Sequence, residues 1–214
     1  MDDILSIMDV ARPYAAVSPS LEGEVLYTLA GSSVGMTGRQ IALLTGRSSH
    51  SGVLHALNRL VEQGLVDRVE LNRAHLFSLN RDHLAAPAVA SLAALRTALI
   101  DRIREDVSGW PSQPLHGSLF GSTARGDGDA HSDIDLLFVR PAAVPEDDAA
   151  WRDSLDGLSA RIERWTGNRA SISEVSESEL RRWRRDPPAI LPDIEADSIL
   201  LAGRRLGEML DEQP

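Results

Sequence analysis

The chain has 214 residues, 43% of them apolar, and a net charge of −10. That is enough length for one large or two small domains with real cores, and too acidic a balance for indiscriminate nucleic-acid binding by the whole molecule. The absence of cysteine excludes disulfides and thiolate zinc sites; no apolar run is long enough to span a membrane, and Met1-Asp2-Asp3 is unlike a signal peptide, so a soluble cytoplasmic protein is expected.

In chain order, Ile4, Leu5, Ile7, Met8 and Val10 suggest a short helix within 4–17, closed by Arg12-Pro13 and packed on a domain or a second subunit. Helical spacing follows over Ser20–Ala30. Thr37 then caps a helix over 38–45 that Gly46 ends. A third helix runs from Ser48 or Ser49 through Val53, Leu54, Leu57, Leu60 and Val61 to Gly64. Strand-like runs at 65–70 and 74–79 flank a turn at Leu71-Asn72-Arg73. Residues 37–83 hold six arginines against four carboxylates, a balance of +2, and four histidines. Residues 109–214 hold twelve arginines against twenty acidic residues, a balance of −8. The contrast predicts two domains of different electrostatic character.

This order of elements, with Leu-Val-Glu-Gln-Gly-Leu-Val-Asp-Arg over 60–68, resembles a winged helix-turn-helix domain (MarR/ArsR-like) spanning roughly residues 20–80. The resemblance implies that DNA is a partner and that the third helix enters the major groove by its N-terminal end. That end offers Arg47, Ser48, Ser49, His50 and Ser51, with His55 and Arg59 further along. Arg68, Arg73 and His75 on the wing would meet the backbone or minor groove. A protein-interaction or dimerisation module is the alternative. His50 and His55 lack a metal partner set and are assigned no metal.

Leu84 to Val107 reads as one long helix with Leu84, Val89, Leu92, Leu95, Leu99 and Ile103 on a stripe, ended by Ser108-Gly109-Trp110-Pro111. It either connects the domains or forms the seam of a homodimer. The expected organisation is therefore 1–83, a connecting helix over 84–108, and 109–214.

The second half alternates. A strand over 114–120 meets Gly121-Ser122, and a second strand covers 134–140. A helix runs from 145–148 to about Trp165, closed by Gly167, and a third strand covers 169–175. Ser176 and Glu179 make a capping box for a helix over 177–185. Alternate side chains of a strand share a face, so Asp133 and Asp135 should point the same way. Two neighbouring carboxylates repel unless a cation joins them, and hard oxygen ligands suit Mg²⁺. Gly121 and Ser122, where a strand turns into a helix, offer free N–H groups to a phosphate. In Arg181-Arg182-Trp183-Arg184-Arg185 the arginines read as a solvated face with Trp183 inward.

Gly121-Ser122 with Arg125-Gly126, followed by Asp133-x-Asp135, resembles the nucleotidyltransferase superfamily related to DNA polymerase beta, in its minimal form. The two resemblances together imply an α+β chain: an N-terminal winged helix-turn-helix and a C-terminal small mixed sheet flanked by helices. The second implies that Gly121 and Ser122 hold the β- and γ-phosphates of an NTP, ATP foremost, and that the catalytic pair Asp133 and Asp135 holds Mg²⁺. Arg125 would meet the triphosphate, or pair instead with Asp127 or Asp129. The reaction implied is transfer of NMP to a hydroxyl acceptor. The family's third carboxylate position falls on Ser171, and Glu174, three residues on, belongs to the opposite face of a regular strand. Two other readings therefore stay open: a nucleotide-sensing transcriptional regulator with a degenerate transferase domain, and an antitoxin with a toxin partner.

Overall fold

In a computed structural model that describes residues 8–46, 49–71, 74–129 and 132–211, the chain divides into two units. One is Arg12–Arg96; the other combines the described parts of Met1–Ala11 and Thr97–Pro214.

In the first unit, a 3-10 turn (Pro13–Ala16) leads to α1 (Leu21–Ala30), β1 (Met36–Thr37), α2 (Gly38–Thr45), α3 (His50–Glu62), β2 (Val66–Leu71), β3 (Ala74–Leu79) and α4 (Ala86–Ala93). Small hydroxyl residues start the first three helices. Ser20 Oγ accepts from the Gly23 N–H at 3.2 Å and Ser49 Oγ from the Gly52 N–H at 3.1 Å, while Thr37 and Gln40 form a reciprocal capping box. Such caps contribute about 1 kcal/mol each. Helical spacing puts Val53, Ala56, Leu57 and Leu60 of α3 on one buried face, packed with Val25, Leu29, Ile41 and the sheet residues Val66, Phe77 and Leu79. The antiparallel sheet has the order β1-β3-β2. Its two-residue strand β1, absent from the sequence expectation, is set by its partner: Met36 pairs with Phe77 and Thr37 with Leu76.

The long helix expected over 84–107 is two helices, because α4 stops at Ala93 and α5 (Leu95–Ser108) starts after Ala94. No Gly or Pro marks the break. The two helices pack into different cores: buried Ala86 and partly buried Val89 in the first unit, Leu99, Ile100, Ile103 and Val107 in the second. The α5 part of the expected stripe is thus buried inside its own unit, while Leu84 is exposed. Val10 also fills the second unit's core, and the Met8 N–H donates to the Thr166 C=O at 3.1 Å. The rest of the expected N-terminal helix, at residues 4–7, lies outside the described residues.

After α5 come β4 (His116–Phe120), α6 (Gly121–Arg125), β5 (Ile134–Arg140), α7 (Ala149–Thr166), β6 (Ala170–Ser176), α8 (Glu177–Trp183), α9 (Leu191–Asp197), β7 (Ile199–Gly203) and α10 (Leu206–Asp211). The sheet order is β6-β5-β4-β7; β5 and β6 are parallel, and the other pairs antiparallel. One face, carrying Leu119, Ile134, Leu136 and Phe138, packs with Ile103, Val107, Trp151, Leu158 and Ile162 of α5 and α7. The other, carrying Phe120, Leu137 and Val139, packs with Leu180, Ile194 and Leu206 of α8, α9 and α10. A strand covered on both faces reads as a continuous apolar run, and in β5 that run is broken only by Asp135 before Arg140 ends it. Among the described residues, no helix is long and apolar enough to cross a membrane.

Candidate active site

The site forms where two buried strands of the second unit end. β4 stops at Phe120 and the chain turns at once into α6, with no side-chain cap from Phe120. Phe120 pairs with Asp135 across β4 and β5, so the turn sits beside that carboxylate. Gly121 has φ of +71°, and a Cβ there would stand 2.6 Å from Asp135 Oδ2. Glycine is thus required at this position both by backbone conformation and by the approach of the carboxylate.

Ser122 lies under the following loop. Its C=O accepts from the N–H groups of Gly126 and Asp127 at 2.8 and 3.2 Å, and a Cβ on Gly128 would stand 2.9 Å from Ser122 Oγ. β5 begins at Ile134, one residue after Asp133, so strand alternation does not orient Asp133 as the sequence suggested. Asp133 is instead held through its backbone, where Thr123 Oγ1 donates to its C=O at 3.4 Å. The next peptide back is held by buried Asn168, whose Nδ2 donates to the Ser132 C=O at 3.2 Å. Thr123 and Asn168 were not among the expected site residues; among their polar and glycine neighbours, Ser122 and Arg125 or Gly167 and Arg169, nothing in the sequence sets them apart.

Asp133 is exposed and Asp135 half-buried. Burial pushes the Asp135 carboxyl above its ordinary value, and the charge of Asp133 adds to the shift. The pair therefore carries the mutual repulsion that a divalent cation relieves, and its hard oxygens suit Mg²⁺. Among the described residues, no group of three or more His, Asp or Glu side chains forms a metal cluster. The parallel β5–β6 register sets Ser171 directly beside Asp135, while Glu174 pairs with Phe138 and binds Arg140 Nε at 2.5 Å. Glu174 is thus engaged on the opposite face.

Arg125 adopts the ion-pair alternative. Its Nε meets Asp127 Oδ2 at 3.1 Å and its Nη1 lies 3.9 Å from Asp197 on α9, a partner distant in sequence; the hydrogen bond to Asp127 raises its pKa further. In the arginine-rich helix α8, Arg181 pairs with Glu177 at 2.8 Å, Arg184 donates to the Met209 C=O at 2.8 Å, and Trp183 packs inward.

In the first unit, Arg47, Ser48 and Arg73 lie outside the described residues. His50 and Ser51 are exposed at the start of α3, and Arg68 is exposed on β2. Ser49 Oγ is occupied as the helix cap, and Arg59 is ion-paired with Glu22 of α1.

A comparison with curated proteins finds no significant match. Among solved structures, the chain is similar to a "predicted DNA-binding transcriptional regulator from E. coli", with 23% identity, a TM-score of 0.31, and coverage of 40% of this chain and 81% of that one. It is similar as well to a "putative nucleotidyltransferase from Sulfolobus solfataricus", with 23% identity, a TM-score of 0.28, and coverage of 51% of this chain and 84% of that one. Residues 100–185, which hold Gly121, Ser122, Asp133 and Asp135, match the family model described as a nucleotidyltransferase domain.

Proposed function

We propose that the second unit binds a Mg²⁺–NTP complex, ATP foremost, at Gly121, Ser122, Asp133 and Asp135, and transfers its NMP to a hydroxyl group. The observation that carries this reading is the approach of Gly121 to the Asp135 carboxylate, which brings a phosphate-facing turn against a cation-seeking group. The N–H groups that open α6 and the Ser122 hydroxyl would orient the β- and γ-phosphates. Asp133 and Asp135 would hold the metal, which supplies charge neutralisation at the triphosphate. The acceptor oxygen forms a bond to the α-phosphorus as the bond to the bridging oxygen breaks. Pyrophosphate leaves, and the hydroxyl proton passes to solvent, because Ser171 is no base at neutral pH.

The same Ser171, in register with Asp135, favours a second reading in which the domain senses the nucleotide without transferring it. Calorimetry with ATP and Mg²⁺, paired with an α-phosphate label, separates the two. Metal-dependent binding that disappears in Asp133→Asn/Asp135→Asn, together with labelled product, is the expected result. Binding without label transfer to any acceptor class favours the sensor, and no binding at all removes both readings.

For the first unit we propose DNA binding. Three helices followed by a hairpin support a winged helix-turn-helix reading, with His50 and Ser51 at the exposed start of α3 and Arg68 on the β2–β3 hairpin. If Arg68 contacts a phosphate, Arg68→Ala lowers the salt slope of DNA binding by about 1. Failure to retain any fragment of the gene's own promoter region would count against the proposal.

A further inference from the structure

The first unit contains a cavity of about 520 Å³, within the roughly 300–1,000 Å³ typical of small-molecule sites. It lies between the 3-10 turn, α1, β1 and the end of α2. Tyr14 and Tyr27 line it as a ring pair with centroids 4.8 Å apart and planes tilted by 31°. Met36 and Leu44 add apolar lining.

The polar part of the lining holds the Arg12 guanidinium beside several acceptors. Thr28 Oγ1 spends its one proton on the Glu24 C=O at 2.8 Å, and Thr45 Oγ1 spends its own on the Ala42 C=O at 3.2 Å. Each is left with lone pairs to offer. The Glu24 carboxylate also lines the cavity, 3.9 Å from the Arg12 guanidinium, so a cationic ligand would share this carboxylate with Arg12. Tyrosine faces attract cations, and carboxylate and hydroxyl oxygens accept hydrogen bonds from them.

We propose that this cavity binds a small organic cation with an apolar body, such as an amine carried on an aromatic ring. The ammonium meets Glu24 and the hydroxyl oxygens, and the ring packs against Tyr27, Met36 and Leu44. The proposal is independent of the transferase reading.

The test is calorimetric titration of the full chain with 2-phenylethylammonium, and with 3-phenylpropanoate as an anion of similar shape. Saturable binding of the cation alone is expected. Glu24→Gln weakens it at least about tenfold, the loss of one charge-assisted contact, and Tyr27→Leu weakens it as well. Leu84→Ala, an exposed apolar residue outside the cavity, leaves it unchanged. Should Glu24→Gln fail to fold, Leu44→Trp at an exposed lining position adds bulk to the cavity and abolishes binding. The proposal is overturned if the cation shows no saturable binding below about 1 mM. It is overturned equally if the anion binds as well as the cation, or if a folded Glu24→Gln or Leu44→Trp retains wild-type affinity.

Discussion

Asp135 has opposite effects on binding and on folding. Its carboxyl is raised above the ordinary 3.8 by burial and by Asp133, so the folded chain binds more protons than the unfolded one between those values. Stability therefore falls as pH rises through that window and stays reduced above it. Asp135→Asn removes the charge with little change of shape. In metal-free protein near neutral pH the variant should melt at a higher temperature than wild type, yet lose any stabilisation by Mg²⁺–ATP. An unchanged or lower melting temperature would mean that the carboxylate is not strained in the fold. His116 behaves in the opposite sense. Its Nδ1 donates to the Arg204 C=O at 2.7 Å and its Nε2 lies 2.8 Å from Ser118 Oγ, from which it accepts when the ring is neutral. Burial is the largest cause lowering its pKa below 6.5, and the Arg204 bond opposes it. The stability due to this neutral ring is complete above about 6.5 and is lost as pH falls towards the folded pKa. Melting temperatures recorded on either side of pH 6.5 should decline on the acid side, and His116→Gln should flatten that decline.

Among the elements, the β4–α6 turn is the most constrained. Gly121→Ala places a methyl group 2.6 Å from Asp135 Oδ2 and holds a non-glycine residue at φ of +71°. The conformational part alone costs about 1–2 kcal/mol, and the displaced carboxylate should lose the metal binding proposed for it. Loss of Mg²⁺–ATP binding with a modest drop in denaturation midpoint is expected; a variant that binds as wild type would show that Asp135 does not need its present position. This turn was legible in the sequence because its determinants are local: Gly121-Ser122 directly after an apolar run. Helix starts at Thr37 and Ser176 were legible for the same reason, since a cap acts on backbone groups two or three residues away. Features set by distant partners were not. β1 exists because β3 pairs with it, the break at Ala94 reflects burial in two cores, and Asp197 reaches Arg125 from α9. Asn168 Nδ2 likewise finds the Ser132 C=O only after β5 and β6 align.

At the scale of the whole molecule, the order of the chain and the membership of the two cores do not coincide. Val10 precedes the first unit in sequence but is buried in the core of the second. The aromatic residues make this measurable, because all four tryptophans, at 110, 151, 165 and 183, belong to the second unit, and both tyrosines, at 14 and 27, to the first. Tryptophan emission therefore reports unfolding of the second unit alone. Truncating a buried valine to alanine removes two methyl groups from a packed core, a loss of about 1–3 kcal/mol. Val10→Ala should lower the tryptophan-detected unfolding free energy by that amount, and the midpoint with it, while the cation affinity proposed for the Tyr14–Tyr27 cavity stays as in wild type. A tryptophan transition indifferent to Val10→Ala would mean that the N-terminal segment adds nothing to the second unit, and that the unit is complete from Thr97 onward.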